Sequence, residues 1–371
     1  MKDEELLCTL VLARTPGIGP ISAHNLLNAA GSAANIIRHA KELTKDIPGF
    51  TLKQAESMND PNVVRLCEAE LLFAEKNGIK CLIPSGEDYP SRLRECPDAP
   101  LVLFYKGNAD LNSLHIISIV GTRNATDYGK GICGDFLEEL KALIPDAVIV
   151  SGLAYGIDIH AHRAALRNGL PTVGVLAHGL DRIYPPAHRN TAVEMISCGG
   201  LLTEFPSGTN PDRQNFVKRN RIVAGISDAT IVVESALKGG SLITADIAGS
   251  YQRDCFAFPG RINDTYSAGC NELVRKNKAM LLQNAEEFVK AMCWDAKNKK
   301  PTTIQRQLFP DLSPDEELVV SLLRKQPDGQ QINSLVVESN IAINRLTGIL
   351  FELEMKGVIR ALAGGMYKLI G

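Results

Sequence analysis

The sequence carries no surplus of positive charge: 40 Lys and Arg stand against 42 Asp and Glu, a formal net charge of −2. That balance excludes a histone-like or tail-type nucleic-acid binder. A local basic groove stays open, because phosphate binding follows the local field rather than the net charge. Apolar runs such as "ATIVV" and "AVIV" are far too short to span a bilayer. The opening "MKDEELLCTLVLARTPG" lacks the pattern of a secretory leader. The 9 cysteines are scattered without a CxxC pair, and no histidines stand beside them at zinc-ligand spacing. Buried thiols in a reducing compartment are expected, and a metal site is not. The expectation is therefore a cytoplasmic protein with no metal, no cofactor and no membrane partner.

What is present falls into regions. Residues 1–75 read as short helices broken by "TPGIGP" and "DIPGF", with no period-2 strand pattern. Residues 76–294 alternate β-branched apolar runs with helical stretches. Residues 295–312, polar and twice interrupted by proline, carry a linker signature, so few contacts are expected to cross them. Residues 313–371 form a helical pattern ending in a hairpin. In the middle region "HIISIVG", "DAVIVSG", "PTVGVLAHG", "GLLTEF", "ATIVVES" and "DCFAFPG" read as buried strands separated by amphipathic helices. Continuous apolar strands alternating with helices predict an α/β fold with a Rossmann-like, doubly wound parallel sheet covered on both faces. Such sheets bind ligands beyond the carboxyl ends of their strands.

The segments at those ends are "GTRNATDYGKG", "SGLAYGIDIHA", "HGLDRIYPP", "PSGTNPDRQNF" and "ESALKGGSLITA". Glycine lets backbone N–H groups approach an oxyanion, and a helix N-terminus adds a favourable dipole. Tight packing accounts equally well for any one of these loops. All five together, with Arg123 and Lys238 on the same rim, favour a phosphate-bearing ligand. The glycine spacing of a dinucleotide fingerprint is missing after the first strand, as is the acid after the second, and no P-loop or G-x-S-x-G elbow occurs. Single-stranded nucleic acid or a nucleotide monophosphate remains.

The segment "FVKRNRIVAGISDATIVVESALKGGSLITA" places Lys218, Arg219 and Arg221 before one strand and Lys238 after it. Helical spacing puts Lys218 and Arg221 on one face, with Arg219 angled away. A run of charge like this, taken alone, is more often a solvated helix face. Arg213 lies a little upstream. Tyr128, Tyr155, Tyr184 and Phe216 are available to stack on bases or to pack.

The motifs "SIVGTRNATDYG", "VIVSGLAYGIDIHAHRAAL", "GLLTEFPSGTNPDRQNFVKRNRIVAGIS" and "ESALKGGSLITADIA" resemble those of the DNA-processing protein A (DprA, or Smf) family, and the flanks agree over nearly the whole chain. The resemblance implies a non-enzymatic, sequence-independent single-stranded DNA-binding protein that protects incoming DNA and loads the RecA recombinase onto it in natural transformation. It implies a homodimer, with "GCNELVRKNKAMLL" as the expected surface. By motif, Gly121, Thr122 and Arg123 correspond to the family's phosphate loop, and Lys238, Gly240 and Ser241 to its lysine–glycine–serine turn. Phe216, Arg219, Asn220 and Arg221 match its Phe-x-x-Arg-Asn-Arg segment. With Lys218, Ser151 and Gly152 these form the expected DNA-binding set. A rival reading is a nucleotide-processing enzyme, a phosphoribohydrolase of the lysine-decarboxylase-like type. That reading takes Glu234 and Asp246 as its acids, but the proline and second glycine of that family's turn are missing.

"RTPGIGPISAHNLLNAAGS" resembles a helix-hairpin-helix, in keeping with the family's sterile-alpha-motif-like N-terminal domain. DNA contact and self-association remain open for it. The last region reads as a winged helix, with a Ser313 cap, Pro314 at the first helical position and a wing at Gly364–Gly365. Glu352 and Glu354 on its final helix favour a protein contact over a major-groove reader.

Overall fold

The computed structural model describes residues 2–294, 312–326, 328–362 and 364–370. Most of the expected linker lies outside the described residues. The chain opens with helices α1 Lys2–Arg14, α2 Pro20–Ala30, α3 Ala33–Arg38, α4 Ala40–Asp46, α5 Leu52–Met58 and α6 Pro61–Lys76. Polar caps start several of them. Ser32 accepts from the Asn35 N–H, Thr51 and Gln54 form a capping box, and Asp60 caps α6 with Pro61 behind it. Their apolar faces close on Leu12, Leu26, Ile36 and Met58, and the same cluster takes in Phe104 from the neighbouring sheet.

That sheet has strands β1 Lys80–Leu82, β2 Leu103–Gly107, β3 Ile116–Val120, β4 Val148–Ser151, β5 Thr172–Val175, β6 Gly199–Thr203, β7 Ala229–Val232, β8 Asp254–Ala257 and β9 Met280–Leu281. The order is β1-β2-β6-β5-β4-β3-β7-β8-β9. From β6 to β9 all pairs are parallel. The parallel sheet read from the sequence is therefore there, with one addition: β1 and β2 form an antiparallel edge, Phe104 facing Thr203 and Lys80 facing Tyr105. Along β3, Ile116 and Val120 enter one core cluster while Ile117 and Ile119 enter another. A strand buried on both faces explains the unbroken apolar run. The helices are α7 Ser91–Arg94, α8 Asp127–Leu143, α9 Ile157–Arg167, α10 Arg189–Cys198, α11 Arg213–Gly225, α12 Gly240–Ser250, α13 Ala268–Arg275 and α14 Ala285–Ala291. Phe136 and Leu137 of α8, Ala161 of α9 and Phe288 of α14 cover one face, and Ile222 and Val223 of α11 and Ala245 of α12 the other. Strands β3 to β6 step one way from β3, and β7 to β9 step the other, so the order reverses between β3 and β7.

The C-terminal unit contains α15 Pro314–Lys325, β10 Gln330–Gln331, α16 Ile332–Ser339, α17 Ile343–Met355, β11 Ile359–Leu362 and β12 Met366–Leu369, with a sheet ordered β10-β12-β11. It is a winged helix. Ser313 caps α15 through a capping box with Glu316. The unit is docked on the large sheet, which corrects the expectation of few contacts. Arg253 donates to the Asn333 side-chain oxygen at 2.7 Å, and Gln331 donates to the Asp254 carboxylate at 2.6 Å. Arg253, Asn333 and Gln331 are all buried. Polar side chains removed from water need partners, and here each unit supplies them to the other. Among the described residues no helix is long and apolar enough to cross a membrane.

Candidate nucleic-acid interface

The reversal of strand order leaves a crevice above the carboxyl ends of β3 and β7. It opens into a cavity of about 730 Å³ lined by Gly121, Thr122, Arg123 and Asn124 after β3, Gly152 after β4, and Lys238 to Ser241 after β7. Phe216, Val217, Arg219 and Asn220 of α11 form a further wall, with Pro211 and Arg213 at its start and Tyr266 from the loop after β8.

The loops are shaped by buried acids. Glu234, just beyond β7, accepts from the Thr126 N–H at 2.9 Å and the Thr126 hydroxyl at 2.6 Å, anchoring the start of α8. A methyl group on Gly129 would fall 2.2 Å from that carboxylate, so glycine is required there. The Thr122 N–H donates to the Glu234 carbonyl at 2.7 Å. Asp158 accepts from the Gly152 N–H at 3.1 Å. Burial raises the Asp158 pKa, against the pull of Arg219 and of the Ala154 and Gly152 N–H groups. Both acids thus fix loop shape.

The cations divide into two kinds. Arg123 and Lys238 are exposed, as is Arg213, which stands first in α11. The Arg123 guanidinium lies 5.0 Å from the centre of the Phe216 ring. Arg219 is buried, 4% exposed, and donates to the Gly152 carbonyl at 2.6 Å and to the Val175 carbonyl. Burial lowers its pKa to about 10, with Asp158 opposing, so it stays cationic at neutral pH. A methyl group on Gly152 would meet this guanidinium at 2.3 Å.

Three expected residues lie elsewhere. Arg221 is 9% exposed and binds the Asp98 carbonyl and the Glu204 carboxylate, away from the cavity. Lys218 is exposed, does not line the cavity and acts electrostatically on the half-buried Glu204. The two do share a face, as their spacing requires, but it is the wrong face. Helix α11 packs its Ile222 and Val223 side on the sheet, which turns residues 213, 216, 217 and 220 into the crevice. Arg219 angles away from that face, as its spacing predicts, and so reaches the crevice. Ser151 is also outside, its hydroxyl donating to the Ile119 carbonyl at 2.6 Å within the sheet. Gly240 and Ser241 line the cavity, and the Ser241 hydroxyl donates to that of Ser235 at 2.8 Å.

Tyr266 and Asn124 were not picked out from the sequence. The Asn124 amide donates to the Tyr266 hydroxyl at 3.0 Å, and the Tyr266 carbonyl accepts from the Ser235 N–H at 2.6 Å. The signal available was topological, since a loop at the carboxyl end of the strand beside β7 must approach the same crevice. Of the other aromatics, Tyr184 lies 6.0 Å from Phe216, Tyr155 packs on His188, and Tyr128 donates to the Pro259 carbonyl. Among the described residues no cluster of His, Cys, Asp or Glu is arranged to hold a metal ion.

An open sheet with helices on both faces, and exposed cations and glycine turns at its switch point, defines a Rossmann-like protein suited to an anionic ligand. The family model for DNA recombination-mediator protein A matches residues 80–293, and that for the DprA winged helix domain matches residues 305–365. The chain belongs to the DNA recombination-mediator protein A family. It is 33% identical to Protein Smf of Escherichia coli (strain K12) over 86% of this chain and 85% of that protein. It resembles the X-ray structure of DNA processing protein A from Streptococcus pneumoniae, with a TM-score of 0.58 and 32% identity over 74% of this chain and 98% of that one. A Helicobacter pylori DNA processing protein A structure, described by its single-stranded DNA binding mode, matches with a TM-score of 0.53 and 32% identity, covering 58% of this chain and 96% of that one.

Proposed function

We propose that the crevice binds single-stranded DNA through its phosphates, without reading sequence, and that the protein delivers this DNA to RecA in natural transformation. The observation that carries the reading is the convergence of Arg123, Arg213 and Lys238 on one cavity beside the Phe216 ring. Point cations hold phosphates, an aromatic face accepts any base, and together they give affinity without base-edge discrimination. Gly121, Thr122, Gly152, Asn220, Gly240 and Ser241 complete the contact surface, and the N-termini of α11 and α12 add favourable dipoles. As a member of a family of recombination mediators, the chain is not an enzyme. The phosphoribohydrolase reading finds its acids already engaged: Glu234 holds Thr126, and Asp246 pairs with Lys278 at 2.6 Å. We assign the working unit as a cytoplasmic homodimer, with residues 1–75, 76–294 and 313–371 as its domains and 295–312 as a linker.

The test mixes the full chain with a labelled single-stranded oligonucleotide, a duplex and nucleoside monophosphates, and measures binding and turnover together. Tight single-strand binding with no turnover is expected, along with faster RecA filament formation on the same strand. Preference for the duplex, or turnover lost in Glu234→Gln, overturns the reading.

A further inference from the structure

One wall of the crevice is fastened from outside the sheet. The loop between β6 and α11, residues 204–212, delivers Pro211 and then Arg213 to the cavity. Midway along it Ser207 is gripped by Glu70 of helix α6, in the N-terminal helices. One carboxylate oxygen accepts from the Ser207 N–H at 2.9 Å, and the other accepts from its hydroxyl at 2.5 Å. Glu70 is only 6% exposed. An acid is seldom buried unless its charge is stabilised, and both of its oxygens are here engaged by one residue of the loop. The next residues are tied as well. The Gly208 N–H donates to Asp181 at 2.9 Å, and Arg182 donates to the Asn210 side chain at 2.9 Å. These two ties come from the loop after β5, so the Glu70 grip is a link between the N-terminal helices and the crevice wall.

We infer that Glu70 is a positioning residue for DNA binding: it sets the β6–α11 loop so that Arg213 meets the strand held by Arg123 and Lys238. The inference rests on the crevice being the single-strand site. It gives the N-terminal helices a part in binding without any contact to DNA.

The experiment titrates a fluorescein-labelled single-stranded oligonucleotide of a few tens of nucleotides with the full chain at several salt concentrations. Glu70→Ala and Arg213→Ala should each weaken binding roughly fivefold and flatten the slope of log K against log salt by about 0.7, the share of one phosphate. The double variant should bind no worse than either single variant, because both remove the same contact. Glu70→Gln, which keeps an acceptor for the Ser207 N–H, should recover most of the affinity. Additive losses, or an unchanged salt slope in Glu70→Ala, overturn the positioning role. Should Glu70→Ala fail to fold, Ser207→Ala takes its place in the same cycle, and additive losses there overturn the role equally. Arg123→Ala and Lys238→Ala are run alongside. If they bind like the unmodified chain the crevice reading itself falls, whereas if they weaken while the cycle is additive only the role of Glu70 falls.

Discussion

Arg123 and Arg219 both lie against the Phe216 ring, at 5.0 and 5.9 Å, yet removing them should do opposite things. Arg123 is exposed at the crevice rim, so Arg123→Ala should weaken single-strand binding with little change in melting temperature. Lys238→Ala should behave the same way, each variant lowering the salt slope by about 0.7. Normal binding by both, in anisotropy titrations, would remove the crevice from consideration. Arg219, on α11, holds the Gly152 and Val175 carbonyls at the carboxyl ends of β4 and β5. Arg219→Ala should cost roughly 2–4 kcal/mol of stability in urea denaturation, since buried carbonyls lose a charged donor. Lys218→Ala, on the outer face of the same helix, should change neither stability nor affinity appreciably. The motif Phe-x-x-Arg-Asn-Arg therefore mixes an aromatic ring that lines the crevice, a scaffold cation and a cation paired to Glu204.

At the scale of elements, the crevice depends on how α8 begins. Its first turn is tied to β7 through Glu234 and Thr126, and the Arg123 loop lies between the two. Glu234→Ala leaves the Thr126 N–H without its acceptor and should cost about 1–3 kcal/mol by the same denaturation assay. Affinity should fall with it, because the loop carrying Arg123 loses its anchor. A variant as stable as the unmodified chain would show that the Thr126 cap is dispensable. Much of this scale was legible in the sequence. The apolar runs of β3 to β8, the Ser313 cap and the hairpin at Gly364–Gly365 all stand where their patterns place them. The antiparallel strands β1 and β2 were not, because short strands at a sheet edge leave no long periodic run to recognise.

For the whole molecule, the docking of the winged helix decides two outcomes. The described residues that line the crevice all precede residue 295. A chain ending near Lys297 should therefore bind single-stranded DNA within about tenfold of the full chain. It should also melt at a lower temperature, since Arg253 and Asp254 lose Asn333 and Gln331. A larger loss of affinity in a soluble truncated protein would place the winged helix in the binding site. The same contact should respond to pH. Burial, reinforced by Asp228, raises the Asp254 pKa from 3.8 to about 6. The folded state thus holds this proton more tightly, and the stability it contributes is present below the ordinary carboxylate range and lost as pH rises through about 6. Asp254→Asn should lack that loss, so its melting temperature relative to the unmodified chain should climb between pH 5 and pH 7. A constant difference across that range would mean that Asp254 does not titrate in the docked contact.

The sequence by itself determined the order of the parallel strands and the helices between them, the burial of those strands on both faces and the placement of glycines and bases beyond their carboxyl ends. These follow from local periodicity and from the rule that connections in such sheets put their loops on one rim. Tertiary structure alone decided which bases meet in the crevice. Helical spacing fixes which residues of α11 share a face, but only packing on the sheet fixes the rotation that aims Arg213 and Phe216 inward and Lys218 and Arg221 outward. The grip of Glu70 on Ser207 and the seat of Asn333 on Arg253 belong to the same class. Each joins residues far apart in the chain, and each is held because a buried charge or polar group must find its partner wherever the fold brings one.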